Sequence, residues 1–157
     1  MSAALRELAL GAPLALLGIW LSSMDIRQGI LPNRLVLALG CSAVLLAPLR
    51  GMGLWNAGCG FLVGGGLLWL LRAVSGGMGG GDVKLGAALG LWLGGEGTLL
   101  MLFLAFLFGG IAAAGILLLH RGGWKSSLAF GPFLFVSAWL VYLDAPTMEA
   151  WFLWGGG

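Results

Sequence analysis

Charge is what this chain has least of. Only 8 basic and 6 acidic side chains occur in 157 residues, or 9% of the total, where soluble domains carry roughly 25%. An aqueous globular domain is therefore excluded. The net charge of +2 is far too small for a nucleic-acid-binding surface. The single histidine, His120, stands next to Arg121 at the end of an apolar run and reads as a boundary residue rather than a base or ligand. Two cysteines, Cys41 and Cys59, lie singly within apolar stretches. With no CxxC pair, a zinc ribbon and a redox motif are both excluded, and the two read as small buried hydrophobes. No cluster has metal-ligand spacing, so neither a metal nor a cofactor is expected.

Apolar residues fill the rest: 60% of the chain is hydrophobic and its mean hydropathy is +1.03. The sparse charges divide it into apolar runs over Leu8 to Met24, Leu35 to Leu49, Gly51 to Leu71, Val83 to Gly95, Gly97 to Leu119 and Ser126 to Leu143. The expected fold is an all-α polytopic membrane protein of six transmembrane helices with short loops, one domain over residues 1–157. The first run has a weak basic flank, Arg6 beside Glu7, and no small-residue cleavage site before Asp25, so it reads as a retained helix.

With six spans, Arg27, Arg34, Arg72, Lys84, Arg121 and Lys125 fall on one side, and only Arg6 and Arg50 on the other. The positive-inside rule makes the first side cytoplasmic and puts both termini outside, with Glu7, Glu96, Asp144 and Glu149 as outer loop charges. Trp55, Trp124, Trp151 and Trp154 lie near span ends, where aromatic anchors belong. The Trp-Gly-Gly-Gly end reads as a frayed tail.

Two acids and one glycine-rich stretch depart from this pattern. Gly76 to Gly86 reads GGMGGGDVKLG. Glycine weakens helices, so such a run requires a reason, and the carboxylate of Asp82 beside lipid requires another. The run after it, Val83 to Gly95, is about 13 residues, roughly 20 Å as helix against a hydrocarbon core of about 30 Å. Either the helix takes in flanking glycines or Asp82 sits below the membrane surface. A stride of four from Asp82 reaches Gly86, Gly90 and Gly94, a small-residue stripe that lets another helix approach closely. Lys84 lies about 200° around that helix and should not pair with Asp82; it reads as a snorkelling anchor.

Asp25 ends the first run and opens the loop DIRQGILPNR. Pro32 stops one helix from running into the next, and Asn33 is a natural N-cap for that second helix. Asp25 and Asp82 can each be a boundary charge, or the two can form a dyad at the cytoplasmic edge.

Together, Asp25 with Leu31-Pro32-Asn33 and the later Gly79-Gly80-Gly81-Asp82-Val83-Lys84-Leu85 resemble the type IV prepilin peptidases, intramembrane aspartic proteases of the GxGD class. Phe130-Gly131-Pro132-Phe133-Leu134 is similar to a phrase in that family's final helix, and its Gly-Pro pair is expected to kink the helix. The resemblance implies catalysis by Asp25 and Asp82, with Gly79, Gly81, Lys84, Pro32 and Asn33 as site-loop residues. It also implies a prepilin or pseudopilin precursor as partner, a bacterial inner-membrane location and cleavage at the cytoplasmic face. Flexible backbone at Gly76 to Gly81 would let the Asp82 helix swing towards Asp25 and admit an extended substrate.

Larger members of that family carry a cytoplasmic insertion with paired CxxC motifs, associated with N-methylation of the mature pilin. This chain has no CxxC and only a short turn after Asp25, so it is similar to the peptidase-only form that serves tight-adherence pili. A small proton- or ion-coupled carrier is the alternative, since it also places acids and glycine-broken helices in the membrane.

Overall fold

In the computed structural model, residues 3–76, 78–118 and 129–154 are described, and every described element is helical. His120, Arg121, Trp124 and Lys125 lie outside the described residues, as do residues 155–157 and the side chains of Glu149, Trp151 and Trp154. Helix α1 spans Ala3–Gln28 and α2 Asn33–Leu46. A 3-10 turn at Pro48–Arg50 leads into α3, Leu54–Ser75, and then come α4, Gly80–Leu118, and α5, Gly131–Trp154. Three stretches, Leu5–Gln28, Leu54–Ser75 and Gly80–Gly115, are long and apolar enough to cross a membrane; Asn33–Leu46 and Gly131–Asp144 are shorter apolar helices.

Helix α4 is broken at Gly94, whose φ of 73° and ψ of −179° are not helical and suit a residue without a Cβ. The chain folds back there. A side chain on Gly64 would collide with the Gly86 carbonyl and lie 3.2 Å from Thr98 Cγ2, yet a straight helix would separate residues 86 and 98 by about 18 Å. Asn56 of α3 holds the break, its Oδ1 accepting from the Gly95 N–H at 3.0 Å. Thr98 Oγ1 donates to the Gly94 carbonyl at 2.5 Å.

The stripe at Gly86, Gly90 and Gly94 does what a stride of small residues allows. Gly60 of α3 meets the backbone of Gly90 and Gly94, and Gly64 meets Gly86. The two helices cross backbone to backbone, and that antiparallel register sets how far along α3 the carboxylate of Asp82 sits. Around this pair packs an apolar core from all five helices, including Leu14, Leu39, Leu68, Leu89, Trp92, Met101 and Leu134.

Several boundaries differ from the sequence reading. Helix α1 runs on past Asp25 to Gln28, so Asp25 is a helical residue. Helix α4 takes in Gly80 and Gly81, the first of the two options for its short apolar run. Helix α5 continues beyond Asp144 to Trp154, so Asp144 and Glu149 lie on a helix, not in a loop. Gly131 and Pro132 begin α5 instead of kinking it, because a first-turn proline forfeits no helical hydrogen bond. Cys41 is exposed and Cys59 half-buried, so the expected burial of Cys41 fails: that face of α2 is turned outward, beside the likewise exposed Leu37 and Leu45.

Arg50 is the largest surprise at the end of the bundle where α1 begins. It is no free boundary charge. Its guanidinium lies 4.4 Å over the Trp92 ring and donates to the Trp92 carbonyl at 2.7 Å. Trp92 in turn donates to the Leu39 carbonyl at 3.0 Å and packs edge-on against Tyr142, whose hydroxyl donates to the Glu7 carbonyl at 3.1 Å. Burial pushes the Arg50 pKa below its ordinary range, and the cation–π contact and the carbonyls support the charge.

Candidate active site

Asp25 and Asp82 come from different helices and reach one place. Asp25 occupies the last turn of α1, 7% exposed; Asp82 occupies the first turn of α4, 9% exposed. Both line a cavity of about 620 Å³, with Leu71, Ser75, Gly79 and Phe130 among its walls. From Glu7 to Asp25 along α1 is about 27 Å. The acid pair and the Arg50 cluster therefore occupy opposite ends of the bundle.

Backbone lies against both carboxylates. A Cβ on Gly79 would sit 3.3 Å from Asp82 Oδ2. Gly131 donates its N–H to Asp25 Oδ2 at 3.0 Å. That N–H belongs to the first turn of α5, where helical donors have no partner within the helix and the macrodipole favours an anion. Gly131 is the functional candidate that sequence reasoning misses. Its phrase stands out as a family likeness and as a kink, but nothing local ties it to an acid 106 positions away.

Glycine is required at that position. A Cβ on residue 131 would stand 2.5 Å from Asp25 Oδ2 and 3.1 Å from its Cγ, so any side chain displaces the carboxylate. Gly131→Ala is expected to lower turnover about 10- to 100-fold, the equivalent of a charge-assisted hydrogen bond of about 1.5–3 kcal/mol, with the fold retained. Initial rates and melting curves of the purified variant check this; unchanged turnover would show that the bond does not matter.

The other residues singled out in the sequence lie at the starts of α4 and α2. Gly81 allows the side chain of Leu31 to press on the start of α4, since a Cβ there would lie 2.9 Å from Leu31 Cβ. Pro32 carries the extended conformation that begins α2, and no side chain caps that helix. The expected N-cap role of Asn33 is therefore incorrect. Asn33 is the first helical residue, and its Oδ1 instead accepts from Lys84 Nζ at 2.9 Å. Lys84 is thus tied to α2 rather than merely reaching for the surface, and it does not pair with Asp82. Among the described residues, no group of three or more His, Cys, Asp or Glu side chains comes together as a metal site.

Fold and site define a helical protein with membrane-crossing dimensions and two buried carboxylates sharing a cavity at one end, chemistry that a hydrolase or a proton carrier can use. The chain belongs to the type IV leader peptidase family, whose profile matches residues 12–114. It is 34% identical over 154 residues to a prepilin leader peptidase/N-methyltransferase of Aeromonas salmonicida, covering 91% of this chain and 53% of that protein. A protein of the same description from Stutzerimonas stutzeri is 30% identical, with 85% and 48% covered. One from Burkholderia pseudomallei is 36% identical, with 79% and 44% covered. The chain spans about half the length of these curated relatives. No solved structure gives a significant match.

Proposed function

We propose that this chain is an intramembrane aspartic endopeptidase that removes the leader from type IV prepilin-like precursors, with Asp25 and Asp82 as its catalytic pair. The observation that carries the reading is the convergence of those two buried acids on one cavity in a member of the leader peptidase family. Its setting is the bacterial inner membrane. On this reading the broken α4 crosses twice and the chain six times, with both termini outside and the acids at the cytoplasmic edge; the non-helical Gly94 within α4 supports it.

Two carboxylates facing one buried cavity can share one proton. The ionised one takes a proton from water as the water oxygen attacks the scissile carbonyl carbon. The protonated one donates to the carbonyl oxygen, giving a tetrahedral diol. Its collapse breaks the C–N bond: the now ionised carboxylate takes a diol hydroxyl proton, the other gives its proton to the departing amine, and the pair is left with one proton as at the start. No covalent acyl-enzyme forms. Gly131 keeps Asp25 aimed into the cavity throughout. The substrate presents the junction between its basic leader and hydrophobic helix, cut after a glycine, at the membrane edge where the pair lies. Methyl transfer, included in the relatives' descriptions, is not assigned to this chain. It has no CxxC pair, and the turn after Asp25 leaves no room for an insertion.

A carrier would need each end of the bundle to open in turn. The Arg50, Trp92 and Tyr142 cluster closes the end opposite the acids with side chains that bond backbone carbonyls of α1, α2 and α4, which favours the protease. The test is wild-type protein in liposomes with a precursor made of a basic leader, a glycine and an apolar helix. Mass spectrometry should find a single cut after that glycine and no added methyl group. An intact precursor together with proton flux across the vesicles would favour the carrier.

A further inference from the structure

The turn after Asp25 grips the start of the helix that carries Asp82. Gly29 donates its N–H to the Asp25 carbonyl at 2.8 Å and takes a left-handed φ of 62°, so the chain leaves α1 in a fixed direction. Leu31 then lies against Gly81, immediately before Asp82. Asn33, the first residue of α2, holds Lys84 at 2.9 Å, two residues after Asp82. Asp82 is thus bracketed by two contacts with the segment that begins at Asp25. These contacts and the short chain paths on either side close a ring through both acids. Arg72 lies beside Gly80 from the α3 side, and the glycine stripe fixes α4 further along. The Leu31 and Asn33 contacts tie the start of α4 to the Asp25 segment.

We infer that Lys84 and Asn33 are positioning residues: their hydrogen bond, beside the seat of Leu31 on Gly81, is a clasp that sets the place of Asp82 relative to Asp25. This inference rests on the peptidase reading. Both side chains are exposed, so the bond adds little to stability. Its value is geometric. The first turn of a helix frays readily, and a displacement of about 1 Å in a reacting group can cost about 10²-fold in rate. Lys84 touches neither acid and takes no part in the proton transfers.

The test is a double-mutant cycle on the full chain in liposomes with the leader-bearing precursor. Lys84→Met and Asn33→Ala should each lower kcat about 10- to 100-fold and leave KM within about twofold, with melting midpoints within a few degrees of wild type. The double variant should be no slower than the slower single one, and Lys84→Arg, which keeps a donor within reach, should recover most of the rate. Losses that multiply in the double variant, a loss confined to KM, or a fall in melting midpoint large enough to unfold the protein would each overturn the clasp.

A readout independent of catalysis separates the clasp from the peptidase reading. In a Cys41→Ala, Cys59→Ala background, spin labels at Gln28→Cys and Met78→Cys report the spacing across the cavity. Lys84→Met should broaden that distance distribution. An unchanged distribution refutes the clasp, whereas a wild type that cuts no precursor refutes the peptidase reading even if the distribution broadens.

Discussion

Asp25→Asn and Asp82→Asn should each reduce precursor cleavage by at least about 10³-fold, and the double variant should be no worse than the poorer single one. The amide matches the carboxylate in shape, so packing is kept, and at position 25 its oxygen can still accept from Gly131. What it cannot do is ionise or hold the shared proton. General acid–base catalysis contributes about 10²–10⁴-fold, and residues that act as one unit are far from additive. With either partner gone, the remaining acid has nothing to exchange its proton with. Initial rates from the appearance of the trimmed precursor check this, with melting curves to show that each variant is folded. A single variant with more than about a tenth of wild-type activity would make its aspartate a boundary charge.

Gly90→Leu should leave little folded protein. A Cβ on Gly90 would overlap the Gly60 carbonyl, lie 2.5 Å from its carbon and lie 3.0 Å from the Phe61 nitrogen. These are backbone atoms on a continuous helix, so they cannot rotate away as a side-chain tip can. Overpacking a close-packed site costs about 1–3 kcal/mol, and more where backbone has to move. Separating α3 from α4 would also remove the frame that positions Asp82. Gly66→Ala on α3 is the matched control, because nothing lies within 4 Å of its added methyl. Retention on size-exclusion chromatography and the melting midpoint measure both. Equal behaviour of the two variants would contradict the close approach at Gly60 and Gly90.

These contrasts show which features can be read from the chain. The helical class, the short apolar run after Asp82 and the small-residue stripe come from local spacing, and in the structure Gly86, Gly90 and Gly94 meet α3 as a stride of four requires. Features formed across long sequence separations cannot be read. Asn33 has the chemistry of a cap, but Lys84, 51 positions on, takes its oxygen. Gly131-Pro132 has the composition of a kink, yet it opens a helix, where a proline is equally at home. Arg50 reads as a boundary charge because nothing local announces an aromatic ring 42 positions away. Cys41 sits in an apolar run whose outward face is as apolar as its inward one, so composition does not tell which side it takes.

The central claim is that two carboxylates act as one acid–base pair, and the pH dependence of kcat/KM for the wild type tests it most directly. The account predicts a bell-shaped profile. Below the optimum both acids are protonated and water has no base; above it both are ionised and the scissile carbonyl has no proton donor. A profile with a single limb, over a pH range in which the protein stays folded, would contradict the pair and leave one of the two aspartates without a part in the reaction.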